Sequence, residues 1–228
     1  MNKVILGFIF CVILSAAAYA DTAEVLRDLQ ENLSQVKTIQ SGFVQEKYLA
    51  IFNEKLILKG RIYLQKPQNF SWRLDVPLQY SMVIKKDKIR QWDAQSNQVQ
   101  EISLDDNPIF NAVVIQLKLW FYGDYAQLLK DYSVTQLKDS PRPPTPGMDL
   151  VPQQSTQGRG LPVVLEFIPK ETSVARSVID KIIVSFREDK RYIKRIEIEE
   201  KNHDRTVLEF INTRINDPID GKVWEVKQ

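Results

Sequence analysis

The sequence predicts an α+β fold: a strongly curved antiparallel sheet, forming an open, incomplete β-barrel, with helices that cover its concave side. Three observations lead to this prediction. Short segments with alternating apolar and polar residues recur along most of the chain, and their connections are too short for crossover helices. An amphipathic helix pattern precedes these segments. An almost entirely apolar helix pattern interrupts the series near its middle.

The first twenty residues have the pattern of a cleaved secretory signal peptide. Lys3 is the positive n-region, Val4 to Leu14 is an uninterrupted apolar stretch, and Ala18-Tyr19-Ala20 is a small-x-small cleavage pattern. Cys11 lies inside the apolar stretch, where it does not fit a lipobox. We therefore expect an exported, unlipidated protein in which residues 21–228 form a single domain.

A first helix is predicted at about 22–37. Its apolar residues recur at helical spacing: Val25, Leu26, Leu29, Leu33 and Val36. The strands that follow are predicted at 56–65, 70–76, 80–85, 88–93, 98–104, 132–137, 163–168, 177–187, 192–200 and 206–214. Hairpin turns are predicted at Asp87, at Asn97 and over 201–204.

The segment 70–76 has the clearest strand alternation. Its apolar positions are Phe70, Trp72, Leu74 and Val76, and its polar positions are Ser71, Arg73 and Asp75. A period of two with one polar face is typical of an antiparallel sheet with one side in water. The polar side of this strand is therefore expected to be solvated.

The apolar helix is predicted to begin after Asn107-Pro108 and to end at Gly123, with Asp124 capping a short further helix. Because it is apolar on most of its circumference, it must be buried or must cover an apolar surface. Residues 139–162 hold six of the eleven prolines, which predicts a loop insertion.

Composition argues against several classes of function. A net charge of +2 gives no sign of a nucleic-acid partner, and one Cys and one His exclude Cys/His zinc sites. His203 lies beside Asp204 in a predicted turn, without a nucleophile-elbow pattern elsewhere. Glu197 lies on a charged strand after Lys194 and Arg195, where charge pairing on a solvated face is expected. We predict no metal, no cofactor and no catalytic residue.

The candidate site is an apolar cleft with a helical lid, although an ordinary core capped by a helix explains the same periodicity. The candidate wall residues are Phe70, Trp72, Leu74, Met82 and Ile84. The candidate lid residues are Ile109, Phe110, Val113, Leu117, Trp120 and Phe121.

Two segments resemble the periplasmic outer-membrane lipoprotein carrier family (LolA), particularly its LolA-like branch. Residues 41–46 (SGFVQE) are similar to the family's small-x-Phe-x-Gln strand, which follows the first helix. Residues 60–72 (GRIYLQKPQNFSW) are similar to its signature of a Gly, an apolar strand, a basic residue with Pro, and Phe-x-Trp. The resemblance covers most of 22–138 and 161–215, and its first half is the more specific.

The resemblance implies a non-enzymatic, monomeric periplasmic carrier. Such a protein takes a lipoprotein or lipid from an inner-membrane export complex or permease and gives it to an outer-membrane acceptor. Family carriers place an Arg before the signature Pro, where it helps to hold the lid closed. Lys66 stands at that position here and is the candidate lid latch. Compact members lack an insertion like 139–162.

Two other functions fit the sequence. A periplasmic lipid-sensing or regulatory module that binds a protein partner could use the same scaffold, with the 139–162 loop at its partner surface. A hydrolase acting on lipids would require His203 to be catalytic.

Overall fold

The computed structural model describes residues 22–52, 54–86, 88–103, 119–137 and 162–226. Within these ranges the chain forms a single eleven-stranded antiparallel sheet that does not close, as the alternation predicted. The strands are β1 (Thr38–Leu49), β2 (Glu54–Gln65), β3 (Asn69–Val76), β4 (Tyr80–Lys85), β5 (Lys88–Asp93), β6 (Gln98–Ser103), β7 (Tyr132–Gln136), β8 (Val164–Pro169), β9 (Ile179–Phe186), β10 (Ile193–Glu200) and β11 (Arg205–Ile215).

The first and last strands meet at the centre of the sheet. The strand order is β6-β5-β4-β3-β2-β1-β11-β10-β9-β8-β7. In β1, Phe43 lies opposite Gly60 of β2 on one side and opposite Phe210 of β11 on the other. The two halves of the chain therefore share one continuous concave face, and the core lies on it.

Helix α1 covers residues 22–34, three residues fewer than predicted, and packs on the concave face. Leu26, Leu29 and Leu33 recur at helical spacing and are buried in the core. The helix ends in a turn in which the Val36 N–H donates to the Leu33 carbonyl at 3.1 Å.

Two helices follow β6: α2, of which the structure describes residues 119–122, and α3 at Tyr125–Asp131. Gly123 separates them with a φ of +80°, and a Cβ there would lie 3.1 Å from the Leu33 Cβ, so this position favours glycine. The Asp124 carboxylate caps α3 by accepting from the Gln127 N–H at 3.3 Å. The predicted end of the apolar helix and the predicted second helix are thus confirmed.

The strand predictions from residue 56 onward are confirmed, and each described boundary differs by no more than two residues. Asn97 and His203 occupy their predicted turns with φ values of 49° and 68°. Asp87 lies outside the described residues, between β4 and β5. Two short 3₁₀ turns, Val174–Ser177 and Gly221–Trp224, complete the described structure.

The expectation of a solvated convex face is wrong at β3. Ser71 has no exposed surface, because the C-terminal segment returns across this side of the sheet. The Arg73 guanidinium donates to the Glu225 carbonyl at 2.6 Å and to the Val223 carbonyl at 3.1 Å. A small apolar cluster beside this contact includes Val226. The guanidinium of Arg73 on the sheet therefore holds the C-terminal segment through the backbone carbonyl groups of that segment. No alternation pattern predicts such a contact.

Glu197 is paired with basic residues, as expected, but the expectation that it lies on a solvated face is wrong. Its side chain is buried between Arg195, whose Nε donates to it at 2.8 Å, and Arg205. Burial raises the pKa of Glu197, but the hydrogen bonds from both guanidinium groups outweigh this effect, so its pKa is lowered. The triad therefore keeps a charged carboxylate inside the convex face.

Candidate functional site

The predicted wall residues lie together on the concave face, on β3 and β4. Phe70, Met82 and Ile84 are buried in the main core. Trp72 and Leu74, further along β3, pack against that core but remain half-buried. The apolar surface of β3 thus continues from the closed core toward a more open end.

Phe43 joins this wall, although the sequence analysis did not place it there. Its ring centroid lies 4.3 Å from that of Trp72, whose ring lies 6.4 Å from that of Phe70. Gly60 makes room for the contact, because a Cβ there would lie 2.7 Å from the Phe43 Cζ and 1.9 Å from the Arg73 carbonyl oxygen. The spacing of the Ser-Gly-Phe motif after α1 could have indicated this position.

The described lid residues face the wall across the core. Phe121 of α2 lies 6.1 Å from Phe70 and 5.5 Å from Phe210, measured between ring centroids. Trp120 stacks on Phe167 of β8 at 5.2 Å. Trp120 and Phe121 of α2 therefore bridge the two halves of the sheet. The predicted lid residues Ile109, Phe110, Val113 and Leu117 lie outside the described residues.

Lys66, at the turn between β2 and β3, lies between two helix ends. Its ammonium donates to the Leu33 carbonyl of α1 at 2.6 Å and to the Tyr122 carbonyl of α2 at 3.4 Å. It also lies 5.6 Å from the centroid of the Tyr122 ring. A cation suits this place because the carbonyl groups of a last helical turn lack intrahelical partners. Burial lowers the pKa of Lys66 to about 8.

The α2–α3 region buries polar groups that the described residues leave without hydrogen-bond partners. These groups are the Trp120 Nε1, the Tyr122 hydroxyl and the Tyr125 hydroxyl. Burial raises the pKa of Tyr122 to about 12 and raises that of Tyr125 further, so both are neutral donors. Unsatisfied buried donors are costly unless a ligand or a water completes them.

His203 lies in a different place, at a polar cleft of ≈ 330 Å³ near the β10–β11 turn. The cleft is lined by Asp180, Glu199, Glu200, Lys201, His203, Asp204 and Arg205. Asp204 has a structural role, since its carboxylate accepts from the Ala50 N–H at 2.9 Å and from Asn202 at 3.1 Å. His203 itself lies in the turn with a φ of 68°.

The described ranges also bear on metal binding and on membrane-spanning helices. No group of three or more His, Cys, Asp or Glu side chains there is arranged to hold a metal ion. No helix there is long and apolar enough to cross a membrane.

Sequence comparison identifies a family and one relative. Residues 34–160 match the family described as "Outer membrane lipoprotein carrier protein LolA". The uncharacterized protein RP864 of Rickettsia prowazekii (strain Madrid E) is 30% identical over 112 residues, which are 49% of this chain and 50% of that protein. The match therefore spans about half the length of this curated relative.

Structure comparison finds the same fold in MucB. A crystal structure of MucB matches with a TM-score of 0.54 and 12% identity, over 91% of this chain and 63% of that one. The complex structure of Pseudomonas aeruginosa MucA/MucB matches with a TM-score of 0.53 and 12% identity, over 91% and 61%. At this identity the likeness concerns the fold alone.

Proposed function

The chain belongs to the outer membrane lipoprotein carrier (LolA) family, and from that membership we propose that it is a periplasmic carrier of acylated cargo. It shields the acyl chains of a lipoprotein or lipid against the concave face and moves them from the inner to the outer membrane. It does so without catalysis. An inner-membrane export complex or permease loads it, and an outer-membrane acceptor unloads it.

The observation that carries this proposal is the graded wall of β3. Phe70 is buried under Phe121 of α2, whereas Trp72 and Leu74 continue the same apolar face half-buried. Apolar surface left in water reduces stability, so an apolar ligand that covers Trp72 and Leu74 would gain binding free energy. A face that passes from covered to open is suited to an apolar ligand that replaces its cover.

Energetics favour a carrier that competes with its own lid. Burying an acyl chain of about 16 carbons at ~0.8 kcal/mol per methylene contributes roughly 10 kcal/mol. Bound that tightly, the cargo would not leave. A lid whose closure competes with the cargo lowers the net affinity without an energy source. Lys66 supports this role, since its ammonium contacts both α1 and α2. We assign it as the latch.

The buried donors of α2 and α3 support an oxygen-bearing cargo. The Trp120 Nε1 and the Tyr122 and Tyr125 hydroxyls have no partner among the described residues, and acyl esters or amides offer carbonyl oxygens that accept from such donors. Cargo that brings carbonyl groups to this region would complete hydrogen bonds that the described residues do not supply.

The test is the substitution Trp72→Glu, with Trp224→Glu as its control. Trp224 is also half-buried, but it lies in the 3₁₀ turn near the convex side of β3. Native mass spectrometry and lipid extraction of the protein expressed in the periplasm measure the bound lipid. We expect Trp72→Glu to abolish the bound lipid while circular dichroism stays unchanged, and Trp224→Glu to keep it. Equal lipid in both variants would refute the cavity assignment.

A second candidate is a regulatory module that binds a protein partner on this scaffold. The observation that favours it is that MucB, which has this fold, occurs in a complex with MucA. Deleting residues 139–162 distinguishes the candidates, because the insertion is the segment we assign to a partner surface. Lost partner capture with lipid binding intact favours the module, and the reverse favours the carrier.

A further inference from the structure

The hairpin between β1 and β2 ends in large apolar side chains that face water. Ile51 is 84% exposed and Phe52 is 67% exposed. Two hydrogen bonds hold the start of the turn: the Phe52 N–H donates to the Leu49 carbonyl at 3.2 Å, and the Ala50 N–H donates to the Asp204 carboxylate at 2.9 Å. Single exposed apolar residues are normal on a protein surface. Two neighbouring bulky apolar side chains in water are not, and they call for an explanation.

The strand that leaves this turn is apolar on both sides. Leu56 and Ile57 are consecutive residues of β2, so they lie on opposite faces of the sheet, and each is 43% exposed. In the described register, β3 pairs with β2 from Lys59 to Gln65, so the first five residues of β2 extend beyond β3. We call Ile51, Phe52, Leu56 and Ile57 the apolar tip.

The chemistry of the apolar tip fits a lipid bilayer better than a protein partner. A protein surface covers one side of a hairpin, whereas the interfacial region of a bilayer surrounds an inserted hairpin on all sides. Glu46, Lys47, Glu54, Lys55 and Lys59 are the charged residues of the two strand ends, so their net charge is only +1. The apolar side chains, rather than attraction to anionic headgroups, would drive such binding.

The residues directly behind Ile51 and Phe52 suit the boundary between hydrocarbon and water, because Tyr48 pairs with Lys55 at the start of the two strands. The Lys55 ammonium lies 5.4 Å from the centroid of the Tyr48 ring and 2.7 Å from the Glu46 carboxylate. Tyrosine and lysine both combine an apolar stem or ring with a polar end, and both are favoured at membrane interfaces. This arrangement pairs the charged groups at the level between the inserted Ile51 and Phe52 and the half-exposed Leu56 and Ile57.

We propose that the apolar tip is a membrane-docking element that inserts Ile51 and Phe52 into the interfacial region of a lipid bilayer. Leu56 and Leu58 lie on the same face of β2 as the buried Ile62, so an apolar path runs from the concave face to the inserted end. Docking by itself requires only the exposed tip. The use of this path for cargo rests on the carrier proposal.

Fluorescent labelling tests the insertion directly. Cys11 is the only cysteine in the sequence, so Cys11→Ser with Phe52→Cys gives a single labelling site. The control is Cys11→Ser with Ile168→Cys, at a 41% exposed position on β8, remote in sequence from the tip. With zwitterionic phosphatidylcholine vesicles, a polarity-sensitive label should shift to the blue at 52 and stay unchanged at 168. A label at 52 that keeps its aqueous emission overturns the proposal.

Vesicle partition gives the size of the effect. The double variant Ile51→Ser, Phe52→Ser should partition about tenfold or more weakly, because two bulky apolar side chains no longer leave water. Phe52→Trp should bind as the natural chain does, and Ile168→Ser should leave binding unchanged. Added NaCl should change the partition by less than about twofold. Undiminished binding of the double variant, or binding abolished by salt, refutes docking through the tip.

Native mass spectrometry of the same double variant separates this proposal from the carrier proposal. Lost vesicle binding with co-purifying lipid retained supports docking and leaves the carrier intact. Lost vesicle binding with no lipid in either protein still supports docking, while the carrier proposal fails.

Discussion

Both ends of strand β2 carry large aliphatic side chains, but these side chains have different surroundings. At the inner end, Ile62 and Leu64 are fully buried in the core beside Phe70. At the outer end, Leu56 and Ile57 are each 43% exposed. The inner end lies between β1 and β3, whereas the outer end has β1 as its described sheet neighbour.

This difference shows that the face on which a side chain lies and its burial on that face have separate causes. Alternation along a strand decides which face a side chain occupies, but neighbouring segments decide whether that face is buried. Leu56 and Leu64 lie on the same face, yet only Leu64 is covered. Because the outer residues add little to the core, their apolar character needs another reason. Membrane docking provides one.

The matched substitutions Leu64→Ala and Leu56→Ala should have the most unequal effects. Leu64 is fully buried in the core, so its truncation should lower the free energy of unfolding by about 2–5 kcal/mol. Leu56 is partly in water, and its truncation should change that free energy by less than about 1 kcal/mol. Urea unfolding of both variants measures the difference. Similar losses at the two positions would show that the outer end is packed in solution.

Gly60, between the two ends, should be the next most sensitive position. An alanine Cβ there would lie 1.9 Å from the Arg73 carbonyl oxygen, so either β3 or the residue itself must move. We expect Gly60→Ala to cost about 3 kcal/mol, the upper end of ordinary overpacking. It should also disturb the packing of Phe43 on Trp72, which near-ultraviolet circular dichroism detects.

Gly221→Ala is the control for Gly60→Ala, because a Cβ at 221 meets no atom within 4 Å. Its unfolding free energy should stay within about 0.5 kcal/mol of the natural chain. If Gly60→Ala leaves the free energy of unfolding unchanged, β2 and β3 move apart at little cost. The predicted wall would then be less rigid than the close contact indicates.

Much of the fold could be predicted from the sequence, because most strands present clear alternation. The exception is β1, which only the family resemblance indicated. Its concave positions include Ser41 and Gln45 as well as Ile39 and Phe43, so the period of two is weak. A central strand is held by partners on both sides and does not need a strong pattern of its own.

The site was predicted less completely, because its contacts join distant segments. The wall residues on β3 and β4 followed from alternation, but the closeness of Phe43 to Trp72 depends on Gly60 and on the register of three strands. Local periodicity also gave no sign of the C-terminal segment that covers Ser71. Such coverage depends on long-range packing rather than on propensity.

Lys66 follows the inner end of β2 and contacts both α1 and α2. Its titration should produce the smallest of the three changes in the free energy of unfolding. Burial lowers its pKa in the folded protein to about 8, below the usual value for lysine. Between about pH 8 and pH 10, the unfolded chain therefore binds more protons than the folded chain does. Stability must therefore rise with pH across this window, because the cost of burying the charged ammonium is fully present below about pH 8 and is relieved as the group loses its proton.

The variants Lys66→Met and Lys66→Arg isolate that contribution. Near pH 7, Lys66→Met should lose about 1 kcal/mol, because the carbonyl groups of Leu33 and Tyr122 lose a charged donor. The stability of the natural chain relative to Lys66→Met should then increase from pH 8 to pH 10, as urea unfolding at several pH values measures. Lys66→Arg keeps its proton throughout and should show no such increase relative to Lys66→Met. A pH-independent difference between the natural chain and Lys66→Met would show that the ammonium is solvated. The turn after the inner end of β2, which holds Lys66, would then be as exposed to solvent as the turn before its outer end.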